Sequence, residues 1–120
     1  MNENSNQGAI VEVNEANFQT EVMEASEPVV VDFFATWCGP CRRLTPVLTS
    51  LAQEYAGRVK FAKVDVDQSP QLAAAFRVTG VPMLAIMLAG RVVDQMVGFM
   101  TPQALRERIE SLRGNVAMPV

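Results

Sequence analysis

The chain lacks several features that would otherwise widen the choice of function. Its 120 residues include no histidine, two cysteines, one tryptophan and no long apolar run. A closed structural zinc site needs about four cysteine or histidine ligands, so one copy of this chain cannot build it. A membrane-spanning helix needs roughly 18–20 consecutive apolar residues, so we expect no membrane association. The net charge of −3 offers no basic face for phosphate groups, and we expect no nucleic-acid partner.

The polar start of the chain predicts a cytoplasmic protein. Residues Met1 to Gly8 contain neither the basic segment nor the apolar segment of a secretory signal. In the reducing cytoplasm, a cysteine pair is more often catalytic or metal-binding than structural. Because 49% of the residues are apolar, the chain can bury one core of ordinary domain size. We therefore predict one domain at residues 9–113, between flexible tails at residues 1–8 and 114–120.

The alternation of short apolar runs with helical periods predicts an α/β fold. The predicted strands cover residues 9–13, 29–35, 59–66, 83–88 and 91–97. Helices are predicted after Asn14, after the cysteine motif, after Ser69 and after Thr101. Early strand–helix–strand crossovers imply parallel strands, and a tight hairpin at residues 89–90 adds antiparallel ones. The expected architecture is a central mixed five-stranded sheet flanked by helices on both faces.

The motif Cys38-Gly39-Pro40-Cys41 carries the clearest chemical signal in the chain. Cys38 follows a strand that is apolar on both faces and opens a helix, where unpaired N–H groups and the helix dipole favour a thiolate. Cys41 lies on the same helix face, within reach of disulfide formation. Pro40 is tolerated in a first helical turn, and Gly39 leaves the approach to Cys38 open. The motif predicts thiol–disulfide exchange, in which Cys38 attacks a client's disulfide and Cys41 resolves the mixed disulfide.

Resolution by Cys41 requires a proton acceptor, and Asp32 is the best candidate in a chain without histidine. Asp32 is a lone carboxylate among the apolar residues of a predicted strand, so burial should raise its pKa toward neutrality. The alternative is a carboxylate at the margin of the strand that faces water. Lys63, in the third strand, either pairs with Asp32 or is simply exposed, and the sequence leaves both arrangements open.

Two further interpretations of the cysteine pair have weaker support. A metal site would require ligands from a second chain, and we predict no metal. A purely structural bridge between Cys38 and Cys41 would close too short a loop to stabilise the fold by much. Catalysis therefore remains the prediction.

With these residues described, the chain resembles the thioredoxin family over residues 9–113. The resemblance rests mainly on Val31-Asp32-Phe33-Phe34-Ala35-Thr36-Trp37-Cys38-Gly39-Pro40-Cys41. Four other segments occur in the family's order and spacing: Pro46, Phe61-Ala62-Lys63-Val64-Asp65, Gly80-Val81-Pro82 and Val97-Gly98. A CxxC motif alone is a weak signal, but this combination is very specific. The resemblance implies the thioredoxin fold and protein-disulfide reductase activity.

The resemblance also implies roles for residues outside the cysteine motif. Pro82 would follow a cis peptide bond and lie against the cysteine pair, and Val81 would offer backbone hydrogen bonds to an extended client segment. Trp37 would flank the site on the docking surface, and the alternative is a core aromatic residue. Gly98 would line the apolar groove that receives clients. Gly39 and Pro40 would belong to the same client-binding surface.

The partners expected from the resemblance are disulfide-containing client proteins and a thioredoxin reductase. Members of the family are recharged by a reductase that uses NADPH, so this chain would bind no cofactor of its own. We also expect it to act as a monomer. These expectations come from the family and not from composition or spacing.

Some positions depart from the family's usual pattern and keep alternatives open. Phe34 stands where many members have a second tryptophan, and Met83 follows the proline where threonine or serine is common. Methionines are numerous in this region and suit adaptable surfaces, which motivates the alternative of a binding module that works by docking. Core filling is the competing explanation for them. An oxidase or isomerase is a third possibility, but such relatives usually carry a histidine where this chain has Pro40.

Overall fold

A computed structural model describes residues 8–117, with side chains described from residue 8 to residue 112. The strands are β1 (Ile10–Glu12), β2 (Val29–Phe34), β3 (Lys60–Asp65), β4 (Met83–Leu88) and β5 (Arg91–Val97). The α-helices are α1 (Gly39–Glu54), α2 (Pro70–Ala75) and α3 (Pro102–Ala117), and a short π-helix covers Gln19–Met23. Among the described residues, no helix is both long and apolar enough to cross a membrane.

The five strands form one mixed sheet in the order β1-β3-β2-β4-β5. Strands β1, β3 and β2 run parallel, whereas β4 pairs antiparallel with both β2 and β5. The central strand β2 is buried along almost its whole length, as expected for a run that is apolar on both faces. The prediction of a mixed five-stranded α/β sheet is confirmed, and so is the antiparallel hairpin at its edge.

Alternating side chains of the sheet build a separate core on each face. One core joins the sheet to α1 and α3; it includes Val30, Phe61, Ile86, Leu44, Leu51, Leu105 and Ile109. The other lies against the π-helix and α2; it includes Val31, Phe33, Met87, Val22, Leu72 and Phe76. On this second face the Phe76 ring centroid lies 5.1 Å from that of Phe33 and 5.4 Å from that of Phe18. Helices therefore cover both faces, with β2 and β3 between them.

The first helical segment differs in form from an ordinary α-helix. The Asn14 side chain accepts hydrogen bonds from the backbone N–H groups of Ala16 and Asn17, so it caps the segment as predicted. Phe18 and Val22, which are four residues apart, are buried on the inner face of this segment. The hydrogen-bonded turn that follows is nevertheless a π-helix. Such turns are rare and depend on packing of the segment as a whole, which a four-residue spacing of apolar residues does not reveal.

The C-terminal boundary of regular structure lies further along the chain than the sequence indicated. The prediction that it ends before Gly114 is wrong, because α3 continues to Ala117. Glycine and asparagine disfavour a helix by only about 1 kcal/mol or less per residue, whereas proline stops it, and Pro119 comes later. The remaining parts of the predicted tails, residues 1–7 and 118–120, lie outside the described residues.

The hairpin between β4 and β5 turns through two residues in the left-handed backbone region. Ala89 has φ of 54° and Gly90 has φ of 76°. Two-residue hairpins favour this conformation because its twist matches that of the flanking strands. Glycine adopts it without penalty, but an alanine Cβ is crowded there. Ala89 therefore carries a local backbone cost.

An Ala89→Gly substitution is expected to stabilise the fold by about 0.5–1 kcal/mol, since it removes this crowding and adds only a smaller entropic cost to the unfolded chain. The free energy of urea-induced unfolding measures the effect. The matched control is Gly90→Ala, which places a Cβ at positive φ and 3.5 Å from the carbonyl oxygen of Met23. That variant should be less stable than the parent. A loss of stability in Ala89→Gly would contradict the prediction.

Candidate active site

The two cysteines lie where the central strand passes into the first α-helix. Strand β2 ends at Phe34, and Cys38 is the N-cap residue of α1, in extended conformation. The Cys38 sulfur accepts a hydrogen bond from the backbone N–H of Cys41 at 3.2 Å. The pair forms a disulfide with a Cα–Cα distance of 5.2 Å. The prediction that the first helical turn brings the two sulfurs into bonding range is confirmed.

Loop residues from the other half of the sheet complete the surroundings of the disulfide. The Val81–Pro82 peptide bond is cis, as the family resemblance implied. The Val81 carbonyl oxygen lies 3.7 Å from the Cys38 sulfur. The N–H of Gly98 donates to the carbonyl oxygen of Pro82 at 2.8 Å. The fold therefore brings Cys38, Val81, Pro82 and Gly98 together, although they are far apart in sequence.

The disulfide is nearly enclosed, whereas the side chain of Trp37, which precedes Cys38, is open to solvent. Cys38 is 4% exposed and Cys41 is 3% exposed. The Trp37 side chain is 67% exposed, so the alternative of a core tryptophan is wrong. Trp37, Val66, Val78, Gly80 and Val81 line an apolar cleft of about 330 Å³, which we call the Trp37 cleft. The cleft adjoins the redox centre, because one of its lining residues, Val81, has its carbonyl oxygen 3.7 Å from the Cys38 sulfur.

Asp67 was missed by the sequence analysis but contacts the site directly. Its carboxylate accepts a hydrogen bond from the indole N–H of Trp37 at 2.9 Å. Asp67 follows β3, which runs parallel to β2, so both strands deliver their following residues to the same edge of the sheet. The sequence predicts the position of Asp67 at this edge of the sheet, but it does not predict the hydrogen bond to Trp37. The bond fixes the orientation of an otherwise exposed indole.

Asp32 is buried in the central strand β2, the strand that leads to the cysteine motif. It is 5% exposed, and its Oδ1 atom has no hydrogen-bond partner within the described structure. Burial raises the pKa of Asp32 from 3.8 to about 7, against a smaller lowering by the nearby charge of Lys63. The alternative of a water-facing carboxylate at the strand margin is wrong. Asp32 can therefore exchange a proton near neutral pH.

Lys63 stands opposite Asp32 on the neighbouring strand without forming an ion pair with it. The two residues are register partners in the parallel β2–β3 ladder. The Lys63 ammonium lies 5.7 Å from the ring centroid of Phe34, in cation–π geometry. Lys63 is half-buried, and together with Asp32, Thr45 and Gln53 it lines a pocket of about 390 Å³. Lys63 is therefore neither paired with Asp32 nor simply exposed, the two arrangements that the sequence left open. It lowers the pKa of Asp32 through its charge and not through contact.

Replacing Lys63 with methionine is expected to raise the pKa of Asp32 further, because the positive charge that lowers it is removed while burial stays. Carboxyl ¹³C NMR titration of Asp32 in the oxidised protein measures the shift. Lys60→Met is the matched control, since the Lys60 ammonium pairs with Glu21 at 2.7 Å. An unchanged or lowered pKa of Asp32 in Lys63→Met would contradict the assignment.

The methionines that suggested an adaptable docking surface are mostly core residues. Met83, Met87 and Met96 are buried in the sheet, and Met100 packs against the core between the sheet and α1 and α3. Core filling therefore accounts for them, and the binding-module alternative loses its motivation. Phe34, the other departure from the family pattern, is half-buried beside Ala35 and the disulfide. Among the described residues, no cluster of histidine, cysteine, aspartate or glutamate could hold a metal ion.

A mixed α/β sheet with a disulfide at the N-terminus of a helix, facing a cis-proline loop, defines a class of thiol–disulfide oxidoreductases. The thioredoxin family model matches residues 9–111. The chain is 40% identical over 103 residues to the thioredoxin of Chlorobaculum thiosulfatiphilum, covering 86% of this chain and 95% of that protein. It is 43% identical over 102 residues to the thioredoxin of Staphylococcus saprophyticus, covering 85% and 96%. The chain belongs to the thioredoxin family.

Family membership gives the cysteine pair its chemical meaning. The chain is a thiol–disulfide oxidoreductase whose redox centre is the Cys38–Cys41 disulfide. As in the rest of the family, the two transferred electrons are held by the two cysteine sulfurs, and the protein carries no cofactor. A further relative, the bifunctional thioredoxin reductase/thioredoxin of Mycobacterium leprae, is 36% identical over 116 residues. The match covers 97% of this chain and 25% of that longer protein.

Proposed function

We propose that the chain is a protein-disulfide reductase that transfers two electrons from its dithiol to the disulfides of other proteins. The observation that carries the proposal is the position of Cys38, at the start of α1 and 3.7 Å from the Val81 carbonyl oxygen. There, the Cys38 sulfur would attack or be attacked beside the cis-proline loop, while the Cys41 sulfur lies one helical turn away.

The proposed reaction begins with the reduced protein. The Cys38 thiolate attacks one sulfur of a client's disulfide; the S–S bond of the client breaks, and its other sulfur leaves as a thiolate. Cys41 then loses its proton and attacks the Cys38 sulfur. The mixed disulfide breaks, the client leaves fully reduced, and the Cys38–Cys41 disulfide forms. Two electrons have moved from this chain to the client.

Asp32 is the proposed base for the second step. A carboxylate with a pKa of about 7 holds or releases a proton readily near neutral pH, and the unpartnered Oδ1 leaves it an open acceptor atom. Lys63 is the proposed modulator, because its charge lowers the pKa of Asp32 without a direct contact. The two residues would set the pH range over which Cys41 is activated.

The proposed client-binding surface surrounds the disulfide. Trp37, Gly39 and Pro40 would contact a client on one side, and Val81, Pro82 and Gly98 on the other. The open space around Gly98, where a Cβ would meet nothing within 4 Å, leaves room for an extended client segment. The Val81 backbone would pair with that segment.

We further propose that a thioredoxin reductase recycles the oxidised chain with electrons from NADPH. The relative from Mycobacterium leprae supports this proposal, because its name joins a thioredoxin reductase and a thioredoxin in one protein. The proposed setting is a monomer in the cytoplasm that acts on disulfide-containing proteins and binds neither membranes nor nucleic acids. The proposed domain runs from residue 9 to the end of α3 at Ala117.

Reduction of insulin disulfides tests the proposal directly. The reduced protein, supplied with NADPH and a bacterial thioredoxin reductase, should turn over insulin continuously, with NADPH consumption followed by absorbance. Chemically reduced protein without the reductase should complete one round and stop. Failure of that single round would overturn the reductase proposal, whereas a single round without continued turnover would overturn only recycling by the reductase used.

A further inference from the structure

Positive charge is absent from the first third of the chain and then appears beside the redox centre. Residues 1–41 hold seven acidic residues and no basic one, and Arg42 and Arg43 follow Cys41 directly. The chain as a whole carries a net charge of −3. The two guanidinium groups therefore reverse the local charge beside the cysteine motif, where clients are proposed to dock.

Arg42 is held against the loop that leads into the active site. Its Nη1 atom donates a hydrogen bond to the Thr36 carbonyl oxygen at 2.8 Å. Arg42, Thr36, Cys41 and Thr45 line an open cleft of about 290 Å³, which we call the Arg42 cleft. A guanidinium group has several N–H donors, so the bond to Thr36 fixes its position and leaves other donors for a ligand.

Arg43 reaches the surface of the turn between the two cysteines. Its Nη1 atom lies 3.8 Å from the position that a Cβ on Gly39 would occupy. The side chain is exposed, as is that of Arg42. The two guanidinium groups therefore approach the cysteine motif from both ends, Arg42 at the loop before Cys38 and Arg43 at Gly39.

Neither arginine is neutralised by a partner in the described part of the chain. There the ion pairs join Lys60 to Glu21, Arg106 to Glu54 and Arg108 to Asp94. The carboxylate that contacts the active-site loop, Asp67, is bonded to the indole of Trp37, which belongs to the separate Trp37 cleft. The site thus has one acidic group, bonded to Trp37, and two cationic groups, one beside Thr36 and one beside Gly39.

We propose that Arg42 and Arg43 form a carboxylate-binding subsite that makes this chain select disulfides flanked by acidic residues. An arginine fork binds a carboxylate through paired, charge-assisted hydrogen bonds, which gives orientation as well as attraction. Charge complementarity at a docking surface also raises the rate of encounter and disfavours partners of like charge. The inference rests on the proposed reductase function and adds a substrate preference to it.

Three disulfide-linked peptides that differ only in the residues beside cysteine test the subsite. Glutamate, glutamine or lysine would flank the disulfide, and the second-order rate constant for reduction by the reduced protein would be measured at low ionic strength. We expect the glutamate peptide to react about tenfold faster than the lysine peptide. The ratio should fall toward one in about 0.5 M salt, because screening weakens exposed charge interactions.

The double variant Arg42→Gln/Arg43→Gln should bring the glutamate-to-lysine rate ratio close to one, and Arg42→Lys/Arg43→Lys should restore part of it. Arg58→Gln is the matched control, since Arg58 lies over the Tyr55 ring, away from the cysteine motif, and its loss should leave the ratio as in the parent. A parent ratio near one, or a ratio unchanged in the double glutamine variant, would overturn the subsite. Failure of the parent to reduce even the glutamine peptide would instead overturn the reductase function on which the subsite rests.

Discussion

A Cys38→Ser variant is expected to lose insulin reduction by at least about a thousandfold, because serine cannot act as the attacking thiolate and cannot form the mixed disulfide. A Cys41→Ser variant should lose multiple turnover to a similar extent for another reason. Its Cys38 can still attack, but the mixed disulfide persists because no second sulfur resolves it. Non-reducing electrophoresis with mass spectrometry should therefore show a client adduct for Cys41→Ser and none for Cys38→Ser.

The pair of variants separates the two roles more sharply than loss of activity alone. Cys38 and Cys41 are almost equally buried and belong to the same disulfide, so a purely structural bridge would make both substitutions equivalent. Thermal unfolding of both variants under reducing conditions provides the control for folding. Equal adduct formation by both variants, or adducts formed mainly by Cys38→Ser, would reverse the assignment of attacking and resolving cysteines.

An Asp32→Ala variant is expected to be more stable than the parent by on the order of 2–4 kcal/mol near pH 8, although it should resolve mixed disulfides more slowly. The pKa of Asp32 is about 7 in the folded protein and near 3.8 in the unfolded chain. The folded state therefore binds the proton more tightly. The contribution of Asp32 to the stability of the parent is therefore greatest below pH 4 and is lost as the pH rises to about 7, where Asp32 ionises in its buried position. Alanine at this position avoids that loss.

Urea unfolding of the oxidised proteins between about pH 4 and pH 8 measures this difference, which should shrink steadily as the pH falls. Asp94→Asn is the control with the opposite sign. The hydrogen bond from Arg108 to Asp94 lowers the pKa of that carboxyl, so its stabilising effect is present at neutral pH and is lost in acid. A stability difference between Asp32→Ala and the parent that does not change with pH would contradict the burial assignment of Asp32.

Local patterns in the sequence predicted the sheet and the cysteine chemistry because neighbouring residues determine them. Strands β4 and β5 have the predicted bounds, since turn residues mark the hairpin between them. The burial of Asp32 followed from the apolar residues on either side of it. The disulfide followed from the spacing of two cysteines in a first helical turn. The cis bond before Pro82 came from family resemblance, because an X–Pro pair alone does not determine its isomer.

Contacts between distant segments could not be predicted in the same way. The hydrogen bond between Trp37 and Asp67 joins residues 30 positions apart, and it depends on the conformations of the loops that follow β2 and β3. The position of Lys63 over the Phe34 ring depends on the register of β2 and β3. The π-helix at Gln19–Met23 and the extension of α3 to Ala117 reflect small energy differences that tertiary packing can override.

The exposed indole of Trp37 gives this chain an intrinsic fluorescent probe beside its redox centre. It is the single tryptophan of the chain, so all indole fluorescence originates beside the disulfide. Two-thirds of its surface faces water, and its N–H is anchored to Asp67, so an arriving client displaces solvent from a ring whose orientation is already set. If clients dock at the proposed surface, each docking event should change the emission of the protein without any attached dye.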